Sequence, residues 1–576
     1  MTRRQDTTKE LNWLNKWIPN EIRLPILVIL VITGIVFFPA LSNSFTNWDD
    51  GLYVTQNPYI QGFSIENLKT IFTEPIANNY HPLTMISLTF NYIFGKLNPS
   101  GYHSTNLFLH LANTFFVFLF AYHLTDKRLW VGIITALFFG IHPMHVESVA
   151  WVSERKDVLY TFFFVSGLLS YLAYLKNEKT KYLGVTLILC LLSLLSKPAA
   201  VVFPIVLLLV DYYKNREWSG KVFLEKIPFF ALSIVFGVIT LNIQSSTAIG
   251  EFSQFSFIQR ISFACYGIVA YLTKLVLPLN LSALYPYPVQ SATESLPAIY
   301  MVTPIFVLGI IGAAIWGIRK HKWLTFGLLF FLVNIALVLQ FVTVGNAIIA
   351  DRYTYLSYVG IFLIIGIGVD TILQKPNFKK WRIPALGIIG ALSIMYSALS
   401  FQRCAVWKNS ITLWTDAIKK DNQNFLAFTK RGEHYYNNKD AKKALDNFDK
   451  AIAIQPNYAL PYTYKGFIFL STKNYDKALP SYTKAIELSP NNADFYNQRG
   501  RCYYETNEWA KAIEDYKQAI TLNPNAYKAY NNRAIIYHRN QEYEKALADY
   551  DAALKINPNY PSATQNRATL LNEMGN

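Results

Sequence analysis

About twelve apolar stretches, most of them near 20 residues long, dominate the sequence between Ile22 and Arg403 and constrain its fold more than any other feature. A helix needs about 20 apolar residues to cross the hydrocarbon core of a bilayer. The whole chain is 52% hydrophobic and only 16% charged, whereas a soluble domain carries about 25% charged residues. We therefore predict a polytopic bundle of membrane helices. The stretches cover residues 22–41, 102–124, 130–150, 157–175, 181–196, 198–213, 227–244, 258–278, 300–318, 323–343, 353–373 and 383–403.

Short basic loops separate many of the apolar stretches and predict the topology. Loops of this kind remain on the cytoplasmic side of a membrane. They can all lie there, together with the N-terminus, if the segment near 258–278 is re-entrant or interfacial and about eleven stretches cross. The same positive-inside bias explains much of the net charge of +16, so we expect no nucleic-acid partner. The basic loops are residues 127–128, 176–181, 214–226, 319–322 and 375–382.

The C-terminal part of the sequence repeats every 34 residues, as tetratricopeptide repeats do. In that pattern small residues lie where two antiparallel helices approach closely, and aromatic residues fill the space between them. We predict an all-α protein with a cytoplasmic segment at 1–21, a membrane domain at 22–403 and an α-solenoid at 404–576. The repeated positions are Pro456, Pro490, Pro524 and Pro558, then Gly432, Gly466, Gly500 and Ala534, then Ala444, Ala478, Ala512 and Ala546, and Phe448, Tyr482, Tyr516 and Tyr550.

An acidic pair, Asp49 and Asp50, follows the first apolar stretch and opens a polar loop. Carboxylates at a membrane surface can accept a proton or bind a metal ion. A second polar group contains His142, His145 and Glu147. These three could hold a metal, although residues two apart do not share a helix face. Contacts with a substrate, or a buried hydrogen-bonded cluster, are the other interpretations.

Two cations beside apolar stretches are candidates for binding a phosphate. Arg352 presents a fork of donors and keeps its charge, but it could instead form a surface pair with Asp351. Lys197 lies between two apolar stretches, where it could bind a phosphate or only extend toward the interface.

The order of these motifs along the chain resembles the transmembrane-and-tetratricopeptide-repeat-containing O-mannosyltransferases, in a prokaryotic-type form. The resemblance implies the C-type glycosyltransferase fold, a dolichyl- or undecaprenyl-phosphate sugar donor and hydroxyl acceptors on protein. It makes Asp49 and Asp50 the catalytic motif. One departure is His81, where that family would have an arginine. The motifs are Asn47-Trp48-Asp49-Asp50, Tyr80-His81-Pro82, Gly101-Tyr102-His103, His142-Pro143-Met144-His145-Val146-Glu147, Ser196-Lys197-Pro198 and Asp351-Arg352-Tyr353.

With that resemblance, we expect a membrane glycosyltransferase that moves a hexose, suspected to be mannose-like, from a polyprenyl phosphate to protein hydroxyl groups. One aspartate would accept the proton of the acceptor, and cations would meet the phosphate that leaves. No cofactor is certain, and a divalent metal is possible. Substrate contacts are expected from Arg352, Lys197, Arg155, His81, His103, His145 and Glu147.

Location and partners follow from the same expectation. The active site and the repeats would lie on the external face, in the periplasm of a bacterial inner membrane, with membrane lipid around the spans. The repeats would bind a protein or peptide acceptor. Two alternatives are a noncatalytic membrane-anchored scaffold and a transporter, whose ionisable residues would lie near the middle of the bilayer.

Overall fold

The computed structural model describes residues 17–245, 255–288, 294–341 and 347–575. These residues form helices joined by turns, and the only β pairing among them is two isolated bridges, Ile76 with Asn79 and Tyr285 with Ile349. The prediction of an all-α protein is confirmed. The chain divides into two compact units, Met1–Asp416 and Ala417–Asn576.

Long apolar helices make up most of the first unit. Within the described residues, six of them are long and apolar enough to cross a membrane. They are Asn20–Ser42, Pro99–Leu124, Val152–Asn177, Gly220–Ile243, Ala298–Lys320 and Pro376–Val406. Shorter apolar helices are Thr180–Ser196, Pro198–Tyr213, Lys322–Val338 and Tyr358–Gln374. The helix Phe257–Val276, in the segment that we predicted to be re-entrant or interfacial, belongs to neither group.

Several of these helices leave large apolar side chains uncovered, as helices that face lipid do. Leu24 is 68% exposed and Ile35 is 62% exposed on a helix that buries Ile29 on another side. On the helix Ala298–Lys320, Ile305 and Leu308 are each 68% exposed. Such surfaces need a hydrocarbon environment, and the chain is a multi-pass membrane protein.

A bent pair of helices, Leu129–Ile141 and Pro143–Ala150, makes a further candidate span with an angle of 54° between its halves. Pro143 has no backbone N–H, so the first helix ends before it. The break leaves carbonyl groups at its end without helical partners. Side chains donate to three of them: His145 Nδ1 to the carbonyl of residue 139 at 2.8 Å, His110 Nε2 to that of residue 140 at 3.0 Å, and Ser400 Oγ to that of residue 141 at 2.7 Å.

The second unit consists of antiparallel helix pairs in the predicted repeat. Gly466 shows why the position is small, since a Cβ atom there would lie 2.6 Å from the ring of Tyr482. Gly432 and Gly500 have the same relation to Phe448 and Tyr516. The helices are Phe425–Asn437, Ala441–Ile454, Ala459–Ser471, Tyr475–Leu488, Ala493–Glu505, Trp509–Leu522, Tyr527–Arg539, Tyr543–Ile556 and Pro561–Met574.

Candidate functional site

Asp50 is buried and holds two segments together. Its Oδ2 accepts hydrogen bonds from the backbone N–H and hydroxyl of Thr46, at 2.7 and 3.1 Å, and its Oδ1 accepts from the N–H and hydroxyl of Ser153. Burial raises the pKa of this carboxyl to about 6, although these hydrogen bonds lower it. With both oxygens occupied, Asp50 fixes the acidic loop against the segment Val152–Glu154.

Asp49 has a different environment from its neighbour. Its side chain is partly exposed, whereas Asp50 is 1% exposed. The charge of Asp49 acts on the ammonium group of Lys156 and on the buried phenol of Tyr53. The more accessible of the two carboxylates is therefore also the one beside a cation.

A network of ion pairs lies next to the acidic pair. The Arg352 guanidinium contacts Glu147 through Nη1 and Glu154 through Nε, the second contact at 3.3 Å. The backbone N–H of Arg352 also donates to Glu147 at 3.2 Å. Lys156 Nζ lies 3.1 Å from the same oxygen of Glu154. Glu154 thus joins two cations that come from distant parts of the sequence.

The network continues to the segment that carries Lys197. The Lys197 ammonium pairs with Asp157, which also accepts a hydrogen bond of 3.1 Å from Ser148, and the charge of Lys197 acts on Glu154. The predicted residues Glu147 and Arg352 are thus in contact, Lys197 pairs with a residue three positions after Glu154, and the charge of Asp49 acts on Lys156.

The cations and the carboxylates of this network differ in exposure. The exposed fractions of the side chains are 13% for Lys156, 16% for Arg352 and 17% for Lys197, and 1% for each of Glu147, Glu154 and Asp157. The acids therefore lie behind the cations. This arrangement presents positive charge toward the accessible side, where an anion could approach.

Four tryptophan rings pack beside the network. Trp48 stacks on Trp151 with the ring centres 4.7 Å apart, and Trp151 stacks on Trp407 at 5.4 Å. Trp414 lies 5.1 Å from Trp48 and donates from Nε1 to Asn47 at 2.8 Å. The Arg352 guanidinium lies over Trp48 and Trp151, at 5.9 and 5.5 Å from their centres. Trp407 and Trp414 follow the last apolar stretch, so their position beside Trp48 could not be predicted from the sequence.

The predicted histidines have three different environments. His81 is buried against Tyr53, with ring centres 5.1 Å apart, and burial, helped by the charge of Lys156, lowers its pKa to about 3. His103 is buried near Arg155. His145 donates a hydrogen bond to the carbonyl of residue 139 at the end of the broken helix described above.

The possible metal group of His142, His145 and Glu147 does not converge. His142 Nε2 donates to the carbonyl of Leu275 at 2.9 Å, and its Nδ1 accepts from the N–H of Met144 at 3.3 Å. Glu147 is paired with Arg352. In the described parts of the chain, no group of three or more His, Cys, Asp or Glu residues is arranged to hold a metal ion.

Arg155 and Asp351 also have partners that the sequence did not predict. Arg155 is 0% exposed and donates to Asn106, to Ser87 at 2.7 Å and to the carbonyl of Tyr102 at 2.9 Å. These contacts favour a role in helix packing over the predicted phosphate contact. Asp351 accepts a hydrogen bond of 2.7 Å from Tyr285, and Arg352 pairs with Glu147 and Glu154 instead of forming a surface pair with its neighbour.

Family models identify the repeats. Models described as "Tetratricopeptide repeat" and "TPR repeat" match residues 503–561 and 466–506. Similar solved structures include the crystal structure of MamA, 24% identical over 25% of this chain and 85% of that chain, with a TM-score of 0.24. Another is the first TPR of Spaghetti (RPAP3) bound to HSP90 peptide SRMEEVD, 29% identical over 20% of this chain and 94% of that chain, with a TM-score of 0.20.

Curated relatives match a larger part of the chain. The protein O-mannosyl-transferase F38B6.6 of Caenorhabditis elegans is 22% identical over 75% of this chain and 63% of its own length. Human protein O-mannosyl-transferase TMTC3 is 22% identical over 66% of this chain and 45% of its own length. Protein O-mannosyl-transferase Tmtc1 of Drosophila melanogaster is 35% identical over 25% of this chain and 17% of its own length. The chain thus spans less than two thirds of the length of these relatives. Its curated homologues are thus transmembrane and tetratricopeptide-repeat proteins that are named protein O-mannosyl-transferases.

Proposed function

We propose that this protein transfers a sugar from a polyprenyl-phosphate carrier to hydroxyl groups of protein acceptors. The observation that carries the proposal is the row of three cations, Lys156, Lys197 and Arg352, that stays partly exposed in front of buried carboxylates and beside Asp49. A leaving phosphate needs such positive charge. The named activity of the relatives, protein O-mannosyl transfer, supports this reaction class and mannose as the sugar.

Asp49 is the general base in this proposal. It accepts the proton of the acceptor hydroxyl as the oxygen attacks the anomeric carbon of the sugar. The bond between that carbon and the phosphate oxygen breaks, and the phosphate takes the bonding electrons. A single displacement of this kind inverts the anomeric carbon. Asp50 keeps the loop in place through Thr46 and Ser153.

The cations act on the other side of the reaction. Arg352 is the strongest candidate to contact the leaving phosphate because its planar group offers several donors at once. Lys156 and Lys197 add positive charge on either side of Glu154. Since the carboxylates already hold these cations, little movement is needed when charge develops on the phosphate.

The site lies at one end of the helices. Lys156 and Asp157 occupy the first turn of the helix Arg155–Asn177, whereas a transporter would place its ionisable groups near the middle of the bilayer. The basic loops lie beyond the other ends of the helices, and the positive-inside rule therefore supports an external location for Asp49 in this proposal.

The test uses the purified chain with polyprenyl-phosphate mannose and a serine- and threonine-containing protein acceptor. The variant Asp49→Asn should lower the rate by about a hundredfold or more. The matched control is Glu66→Gln, which removes an exposed carboxylate from the same loop. Wild-type turnover in Asp49→Asn would refute the role of Asp49, and no transfer by the wild-type protein would favour the noncatalytic scaffold.

The repeats bind the protein acceptor in this proposal. Removing residues 424–576 should weaken transfer to a whole protein far more than transfer to a short hydroxyl acceptor, because contacts remote from the reacting atoms supply orientation. Both forms must first elute as folded protein in gel filtration. An equal loss on both acceptors would contradict acceptor binding by the repeats.

A further inference from the structure

A basic cavity lies at the far end of the helix that begins in the candidate site. The helix Arg155–Asn177 places Asp157 near its start and Lys176 in its last turn. At 1.5 Å per residue these positions are about 28 Å apart, which is close to the thickness of the hydrocarbon core. The cavity measures about 680 Å³. The cavity therefore lies at the opposite end of this candidate membrane span from Asp157.

Positive charge predominates around this cavity. Its lining includes five cations, Lys127, Lys176, Lys214, Arg216 and Lys221, and two carboxylates, Asp126 and Glu178. Lys214 pairs with Asp126 at 2.6 Å, and Arg216 pairs with Glu225 at 2.7 Å. Lys127 and Lys221 are exposed and form no ion pair with any residue in the described part of the chain. Two ammonium groups thus remain for an external anion.

Arg216 is held in the wall by a buried network. Asp211, 0% exposed, pairs with Lys226 at 2.7 Å and lies 3.5 Å from Arg216. The hydroxyl of Tyr171 connects the same groups through hydrogen bonds with Lys226 and Arg216. These contacts fix one cation of the lining, so the cavity is built in part from rigid side chains.

Apolar surfaces lie directly beside the charges. Leu172, Leu175 and Trp17 line the cavity together with its cations. The short helix Gly220–Leu224, which carries Lys221, leaves Phe223 55% and Leu224 65% exposed. A cation next to uncovered apolar side chains is typical of the boundary between lipid headgroups and acyl chains. Contact with that apolar surface would not stabilise a free anion from water, whereas it would stabilise the acyl chains of a lipid.

We propose that the cavity binds the phosphate headgroup of an anionic phospholipid from the leaflet opposite Asp49. The headgroup lies between Lys127 and Lys221, and the acyl chains leave over Phe223 and Leu224. The inference is independent of the sugar-transfer reaction, since it rests on charges and apolar surface at the other end of the helices.

The experiment measures retention of phosphatidylglycerol on the full chain in detergent by native mass spectrometry. The double variant Lys127→Ala/Lys221→Ala should bind about thirtyfold more weakly, since each lysine near an anionic lipid surface contributes about one kcal/mol. Lys127→Arg/Lys221→Arg keeps both charges and should retain the lipid. The control is Lys375→Ala/Lys379→Ala, which removes the same amount of positive charge. Lys379 lies in the exposed segment Pro376–Trp381 and Lys375 directly precedes it, and neither lysine lines the cavity.

Each other outcome overturns the proposal. Equal losses in the cavity variant and the control would mean general attraction of lipid to a basic surface. Equal retention of phosphatidylcholine would mean that the negative charge of the lipid is irrelevant. Displacement of phosphatidylglycerol by millimolar inorganic phosphate would identify a free anion as the ligand. An unchanged affinity in the cavity variant would exclude Lys127 and Lys221 as the binding groups.

Discussion

Replacing Arg352 tests the ion network at the candidate site. In Arg352→Ala, Glu147 and Glu154 lose a cation while both remain 1% exposed. Removing one partner of a buried ion pair typically costs about 3–5 kcal/mol, because the remaining charge has no water around it. Arg352 itself is 16% exposed, so water reaches part of the group, and we expect a loss near the lower end, about 3 kcal/mol. Arg352→Lys should lose less, but one ammonium cannot reproduce the Nη1 and Nε contacts with two carboxylates.

A double-mutant cycle gives the sharpest measurement. In the background of Glu147→Gln, the change Arg352→Ala should cost less, by about 1–3 kcal/mol, because one of the two uncompensated charges is already gone. The assay is thermal unfolding in detergent, followed by tryptophan fluorescence, since Trp48 and Trp151 lie under the guanidinium. Equal costs of Arg352→Ala in both backgrounds would refute the coupling, and an unchanged unfolding temperature in Arg352→Ala would refute the network.

Three further predictions concern other parts of the chain. Burial raises the folded-state pKa of Asp50 from 3.8 to about 6, so the folded protein binds this proton more tightly than the unfolded protein does. The stability of the wild type relative to Asp50→Asn, measured by thermal unfolding, should therefore fall between pH 4 and about pH 6. A stability difference that stays constant over this range would contradict the raised pKa. Gly500→Ala should destabilise the repeats by about 1–2 kcal/mol, because its Cβ would lie 2.7 Å from Tyr516 and the cost of overpacking exceeds the gain in helix propensity. The helix Ala493–Glu505 should then exchange its amide hydrogens faster, and unchanged exchange would contradict the prediction. The positive-inside rule predicts that the repeats lie outside the cytoplasm, so a phosphatase reporter fused after the last residue should report an external location. A signal from the cytoplasm would reverse the predicted topology.

Periodicity made much of the fold predictable. The spacing of Gly432, Gly466 and Gly500 predicted the close helix contacts that the structure contains. Long apolar stretches likewise predicted membrane helices such as Pro99–Leu124. The break at Pro143 within the predicted span 130–150 was not predicted, because hydropathy is insensitive to a bend.

The candidate site was predictable in its residues more than in its pairings. Motif order singled out Glu147, Lys197 and Arg352, which the structure connects. It did not predict that Glu154 joins two cations, because pairing depends on how distant segments meet. Nor did it distinguish Asp49 from Asp50, whose difference is one of burial. The predicted solenoid at 404–576 included Trp407 and Trp414, because their packing beside Trp48 depends on the fold and has no signal in the sequence.

The broken helix at Pro143 has a consequence for the energy of reorganisation in the proposed reaction. Its freed carbonyl groups are tied by His145, His110 and Ser400, which belong to three separate helical segments. All three side chains are fully buried in the protein, so each of these bonds would be costly to break without a replacement partner. The backbone that carries Glu147 is consequently preorganised before any substrate arrives. In the proposed reaction, a carboxylate fixed in this way holds Arg352 in position without a conformational step, so that binding energy is not consumed in assembling the site.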